Sequence, residues 1–143
     1  MKRQSIHDFV LGERATVKRA FTEADVEAFA ALSGDRNPLH VDPAIAEASR
    51  FGARIVHGAL TVSLISRLIG MDLPGPGAIY MQQETRFTAP VHIDELIEAE
   101  VEVIAIDVER SRLTLNTICR TVTTGIVVLK GEALVKFERL PEV

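Results

Sequence analysis

The chain has 143 residues, 47% of them apolar, a formal net charge of −4 and one cysteine. This is the size of one ordinary domain with enough apolar material for a real core, so a single domain over residues 1–143 is expected. Both signs of charge are spread along the chain without a basic block, which argues against nucleic acid as a partner, and the single Cys119 excludes an internal disulfide.

In chain order, Met1–Asp8 is polar and lacks a signal-peptide core. Ala15–Phe21 reads as a short strand. Thr22-Glu23-Ala24-Asp25 reads as a capping box opening a helix with Val26, Phe29 and Ala30 on one face and Gly34 as its stop. The next connection, Asp35-Arg36-Asn37-Pro38-Leu39-His40, is expected to be neither helix nor strand. Asp42 then caps a second short helix that Pro43 opens. His57–Ile69 reads as a helix apolar on nearly every side, hence buried, with Gly70 ending it and Leu73-Pro74-Gly75-Pro76-Gly77 as a break. The longest apolar stretch, Ile55–Ile69, contains His57, Ser63, Ser66 and Arg67. It is too short and too polar to span a bilayer, so no membrane partner is expected.

After this break the period changes. Ile79–Phe87 suits a strand, Ile97–Val103 alternates glutamates with apolar residues, Leu113–Thr117 alternates too, and Ala133–Phe137 closes the set. Alternation of period two means antiparallel strands with one wet face. The expected class is α+β, a single antiparallel sheet wrapping one helix. Cys119 falls in a strand-like apolar stretch, which suits a buried thiol in a reduced cytoplasm.

The chemistry is concentrated in Asp35–His40. An acid and an imidazole lie five positions apart, on a connection stiffened by Pro38 and Pro43. Two groups that can move protons are thus held near one another, as general acid–base chemistry requires. The bland alternative is real, because Asp, Asn, Gly and Pro are also ordinary loop formers.

These residues, Phe29-Ala30-Ala31-Leu32-Ser33-Gly34-Asp35-Arg36-Asn37-Pro38-Leu39-His40-Val41-Asp42, resemble the MaoC-like (R)-specific enoyl-CoA hydratases. So do Ile55-Val56-His57-Gly58, the Leu73–Tyr80 segment, Phe87-Thr88-Ala89-Pro90-Val91 and the terminal Gly131-Glu132-Ala133 strand. The resemblance implies the hot-dog fold, a curved antiparallel sheet wrapped around a long central helix. It also implies addition of water to a trans-2-enoyl-CoA to give the (3R)-3-hydroxyacyl-CoA, without metal or redox cofactor. By this likeness Asp35 and His40 are catalytic and hold one water between them, with Asp35 favoured as base and His40 as the orienting, proton-donating partner. Coupled groups share their protonation, so the sequence does not divide the labour. The backbone N–H of Gly58, at a helix start, would stabilise the thioester enolate oxygen.

Asn37, His57, Leu60 and Leu64 are candidates for contact with substrate. Asn37 also suits turn chemistry, and His57 also suits a hydrogen-bonded structural histidine. His92 is expected to be solvated in a turn, and the four histidines show no metal-binding spacing. Arg86 and Lys130 are candidates for the coenzyme A phosphates. The resemblance further implies a homodimer, or a multiple of dimers, whose sheets join edge to edge. Other readings stay open: a carrier-protein-dependent 3-hydroxyacyl dehydratase, a hot-dog thioesterase, or a non-catalytic acyl-binding domain.

Overall fold

The computed structural model of the chain describes residues 2–143. After a 3-10 turn at Ile6–Asp8, the elements are β1 (Arg14–Ala20), α1 (Glu23–Ser33), α2 (Pro38–Val41), α3 (Pro43–Ala48) and α4 (Gly58–Met71). Then come β2 (Ala78–Phe87), β3 (Leu96–Asp107), β4 (Arg112–Thr121) and β5 (Val127–Phe137). The expected caps form. Asp25 N–H donates to Thr22 Oγ1 at 3.2 Å, and Thr22 N–H donates to Asp25 Oδ2 at 2.9 Å. Gly34 ends α1 at φ +79°, a left-handed conformation that glycine adopts freely.

Two local expectations are corrected. The connection after Asp35 is not wholly irregular: Pro38–Val41 makes one helical turn, with Pro38 preset at its first position and Asn37 as its cap. Nor does α4 stop at Gly70. It runs to Met71, where Asp72 and Leu73 N–H both donate to Leu68 O, at 2.9 and 2.8 Å. Glycine inside a helix costs only about 1 kcal/mol, and the burial of Leu73 outweighs that.

The five strands form one antiparallel sheet in the order β1-β3-β4-β5-β2. Strands β1 and β2 are therefore opposite edges, and every α-helix lies in the chain between them. Helix α4 packs against β1, β2, β3 and β4. Its burial is a stripe, not the all-round apolar surface expected: Thr61, Leu64, Ile65, Leu68 and Ile69 are inside, which is helical spacing. The four apolar ones meet Ile97, Ala99, Val101, Val103, Leu113 and Leu115 in the core. Gly131 is needed for close approach, since a Cβ there would collide with the Glu84 carbonyl on the neighbouring strand.

The wet face holds Glu98 and Glu102, paired with Lys18, Arg120 and Arg14. Cys119 is wholly buried, and burial pushes its thiol up to about 12, so it is inert near neutrality. Among the described residues no helix is long and apolar enough to cross a membrane.

Candidate active site

The Asp35 loop is built from local hydrogen bonds. Ser33 Oγ accepts from Asp35 N–H at 3.1 Å, and Asp35 Oδ1 accepts from Asn37 N–H at 3.2 Å. Asn37 Oδ1 accepts from Leu39 N–H at 3.1 Å, which commits that side chain to capping α2. The single turn of α2 then carries His40 round toward the Ile55–Gly58 segment.

That segment organises what surrounds His40. The imidazole Nδ1–H donates to Ile55 O at 2.7 Å. A carbonyl only accepts, so Nδ1 carries the proton and Nε2 is the nitrogen left for other chemistry. His57 Nε2–H donates to the Asp35 carbonyl at 3.0 Å. The His40 and His57 rings are stacked, with centroids 3.9 Å apart and planes 27° apart. One ligating atom from each of Asp35, His40 and His57 lies within 4.8 Å of the other two. The trio does not fit a metal as arranged. An imidazole lone pair lies in its ring plane, and near-parallel stacked rings do not aim two lone pairs at one ion about 2.0–2.1 Å away.

Gly58 opens α4. No side chain caps this helix, and its first intrahelical donor is Thr61 N–H, bonded to His57 O at 3.1 Å. The preceding N–H groups have no helical acceptor, so the helix start favours an anion. The ring of Phe87 lies across Gly58: a Cβ at position 58 would sit 2.8 Å from Phe87 Cε1.

His40, Gly58, Ala59 and Thr61 line a cavity of about 560 Å³, within the ~300–1,000 Å³ usual for small-molecule sites. Its walls are mostly apolar: Phe51, Ile55, Val56, Phe87, Val91 and Val128, with Arg50 among the lining residues. Two loops are bonded together to make it. Val56 N–H donates to Val91 O at 2.7 Å, and His92 Nε2–H donates to Phe51 O at 3.0 Å. His92 is therefore a structural link and not the solvated turn residue expected.

Leu60 and Leu64 are not brought to this cavity. Leu60 borders a separate hollow with Phe29 and Leu32, while Leu64 points into the core beside β1. Helical geometry is the reason: Leu60 is turned away from Thr61 round the helix, and Leu64 lies a turn further along α4, beyond the first turn that borders the cavity. Arg86 and Lys130 face each other across β2 and β5, in another hollow with Glu84 and Glu132. The Phe51 and Phe87 walls were not legible as such. The Phe87–Val91 word is visible in the sequence, but only the fold brings it to Gly58.

Residues 10–126 match the family model described as MaoC like domain. The chain is 44% identical over 132 residues to the (R)-specific enoyl-CoA hydratase of Aeromonas caviae, across 92% of this chain and 98% of that one. It is 42% identical over 135 residues to the 3-hydroxybutyryl-CoA dehydratase of Methylorubrum extorquens, across 94% and 85%. Its backbone follows the solved (R)-hydratase from A. caviae involved in PHA biosynthesis with a TM-score of 0.88 at 44% identity, covering 91% of this chain and 98% of that one. On sequence and on backbone alike, the chain belongs to the MaoC-like hydratase family and has its hot-dog fold.

Proposed function

We propose that this chain is a single-domain (R)-specific enoyl-CoA hydratase, adding water reversibly to a trans-2-enoyl-CoA to give the (3R)-3-hydroxyacyl-CoA. The observation that carries the reading is convergence. A ring nitrogen of His40 lies within 4.8 Å of the Asp35 carboxylate, the Nε2 of His40 is left free by the Nδ1 bond to Ile55 O, and His40 shares one apolar-walled cavity with the uncapped start of α4. The printed activities of the relatives supply the substrate class.

In this mechanism a water donates one hydrogen to Asp35 and lies against His40 Nε2. Its oxygen lone pair is then free to attack C3. As the C3–O bond forms, the C2=C3 electrons shift toward the thioester, and negative charge collects on its oxygen. The Gly58 N–H donates to that oxygen, stabilisation that is usually the largest single contribution in such reactions. Asp35, as base, takes the proton lost by water and hands it to the unprotonated Nε2 of His40, whose Nδ1–H stays bonded to Ile55 O. It returns to C2 as the enolate collapses, with His40 delivering it through Nε2. One hydroxyl and one hydrogen are added, and the dyad ends as it began. The chain works as a homodimer, or a multiple of dimers, in the reduced cytoplasm that suits its one buried thiol.

The test is loss of enoyl absorbance with crotonyl-CoA, with stereochemical analysis of the product. The expected product is (3R)-3-hydroxybutyryl-CoA. Asp35→Asn keeps an oxygen for the Asn37 N–H, and His40→Ala removes the partner. General acid–base catalysis is worth about 10²–10⁴-fold, so each variant should lower kcat by at least about 10²-fold. Release of free thiol in place of hydration, or undiminished rates in both variants, contradicts the reading.

A further inference from the structure

His57 touches each part of the site while taking no part in the hydration chemistry. Its Nε2–H is committed to the Asp35 carbonyl. One face of its ring is covered by His40, and Phe29 meets the ring nearly edge-on at 4.8 Å. Its residue is 2% exposed, and it is the cap of α4 immediately before Gly58. Its Nδ1 is buried with no hydrogen-bond partner. An unpaired buried acceptor is destabilising, and an apolar residue filling the same space would avoid that penalty.

The ring therefore has a use that space-filling does not explain. A bond at Nδ1 anchors one edge of the His40 imidazole to Ile55 O but leaves the ring free to rock about that anchor. The stacked His57 ring blocks this rocking. Asp35 is held on its following side, where its carboxylate accepts from Asn37 N–H. His57 holds the Asp35 carbonyl itself, which fixes the backbone from which the carboxylate leaves. Resting on the hydratase reading, we infer that His57 is a positioning residue that aligns Asp35 and His40 toward one water.

The experiment compares His57→Gln, His57→Asn and His57→Leu in steady-state hydration of crotonyl-CoA, with Tm measured for each. A glutamine amide nitrogen reaches the place of Nε2 and can still donate to the Asp35 carbonyl. An asparagine amide is one bond too short, and leucine has no donor. Misplacing reacting groups by about 1 Å can cost about 10²-fold, so Asn and Leu should lower kcat by about 10–10²-fold. KM should stay within about threefold, because ground-state binding is untouched. Glutamine should recover a large part of the loss. In an Asp35→Asn background, His57→Asn should lower kcat much less, since the group it aligns is already gone. If His57→Leu fails to fold, the Gln and Asn pair still decides the matter.

The inference is overturned if folded Gln and Asn variants have equal kcat, or if KM rises while kcat holds, which would make His57 a substrate contact. Loss of activity in Asp35→Asn and His40→Ala without loss in the His57 variants overturns this inference alone. No hydration by the unaltered chain overturns the hydratase reading, and this inference with it.

Discussion

Among single residues, Gly58 and Phe87 make the most informative pair. Phe87 is 58% exposed, yet its ring tip lies where a Cβ on Gly58 would have to be. The ring end is free to swing toward solvent, so Gly58→Ala should fold. The Ala N–H would survive as a donor, but the displaced ring would no longer close the cavity over it. We expect Gly58→Ala to lower kcat/KM with little change in Tm. Adding Phe87→Ala should change the effect of Gly58→Ala, with a coupling of about 0.5–3 kcal/mol, as for residues in contact. Strictly additive losses in a double-mutant cycle would show that the ring and the helix start act independently. This contact was not legible in the sequence, because Gly58 and Phe87 lie on separate elements that meet only through folding. The placing of Asp35 near His40 was legible, because it is local: a helix stop, a capping asparagine and a proline hold both on one short connection.

Element by element, the strands were legible wherever burial is one-sided. Buried Ile97, Ala99, Val101 and Val103 alternate with half-buried glutamates, so the pattern survives in the sequence. Strand β2 is an edge with mixed exposure, and its register slips between Tyr80 and Gln82. Helix α4 reads as apolar all round because the half-buried Leu60 and Val62, which lie off the buried stripe, carry no polar mark. The entry to α1 was fully legible and carries a pH prediction. The Thr22 N–H, and then the Arg19 guanidinium, hold Asp25 below the usual carboxylate range. Backbone N–H groups of Gln4 and Arg110 do the same, respectively, for Asp8 and Asp107. With folded-state values lowered, the unfolded chain takes up these protons first as pH falls. Their contribution is whole above the ordinary aspartate value of about 3.9 and is lost below it. Tm should therefore be steady between about pH 7 and 5 as far as these groups act, and fall below about pH 4. Asp25→Asn, uncharged throughout, should start lower by a cap's worth, about 0.5–2 kcal/mol, and fall less steeply. An unchanged slope in the variant would remove Asp25 from the explanation.

For the whole molecule, the sheet leaves two edges, and they differ. Strand β1 presents Arg14, Lys18 and Arg19, charges that discourage edge pairing. Strand β2 carries Ile79, Tyr80, Met81 and Phe87, each 36–58% exposed. We expect two copies to join antiparallel along β2 about a twofold axis, which would set Phe87 and the cavity beside the join. Sedimentation should give a dimer or a multiple of it, and Met81→Arg should weaken it. A stable, fully active monomer at low micromolar concentration would contradict this.

In the proposed reaction a stiff loop and a helix start converge on opposite ends of one conjugated thioester. The most direct measurement is the structure of the chain with a bound hydroxyacyl or saturated thioester. The carbonyl oxygen should lie about 2.7–3.1 Å from the Gly58 nitrogen, the range of working oxyanion donors, with C3 facing the Asp35 carboxylate and His40 Nε2. A thioester whose carbonyl points away from the start of α4, with C3 remote from Asp35, would contradict the mechanism even if hydration were measured.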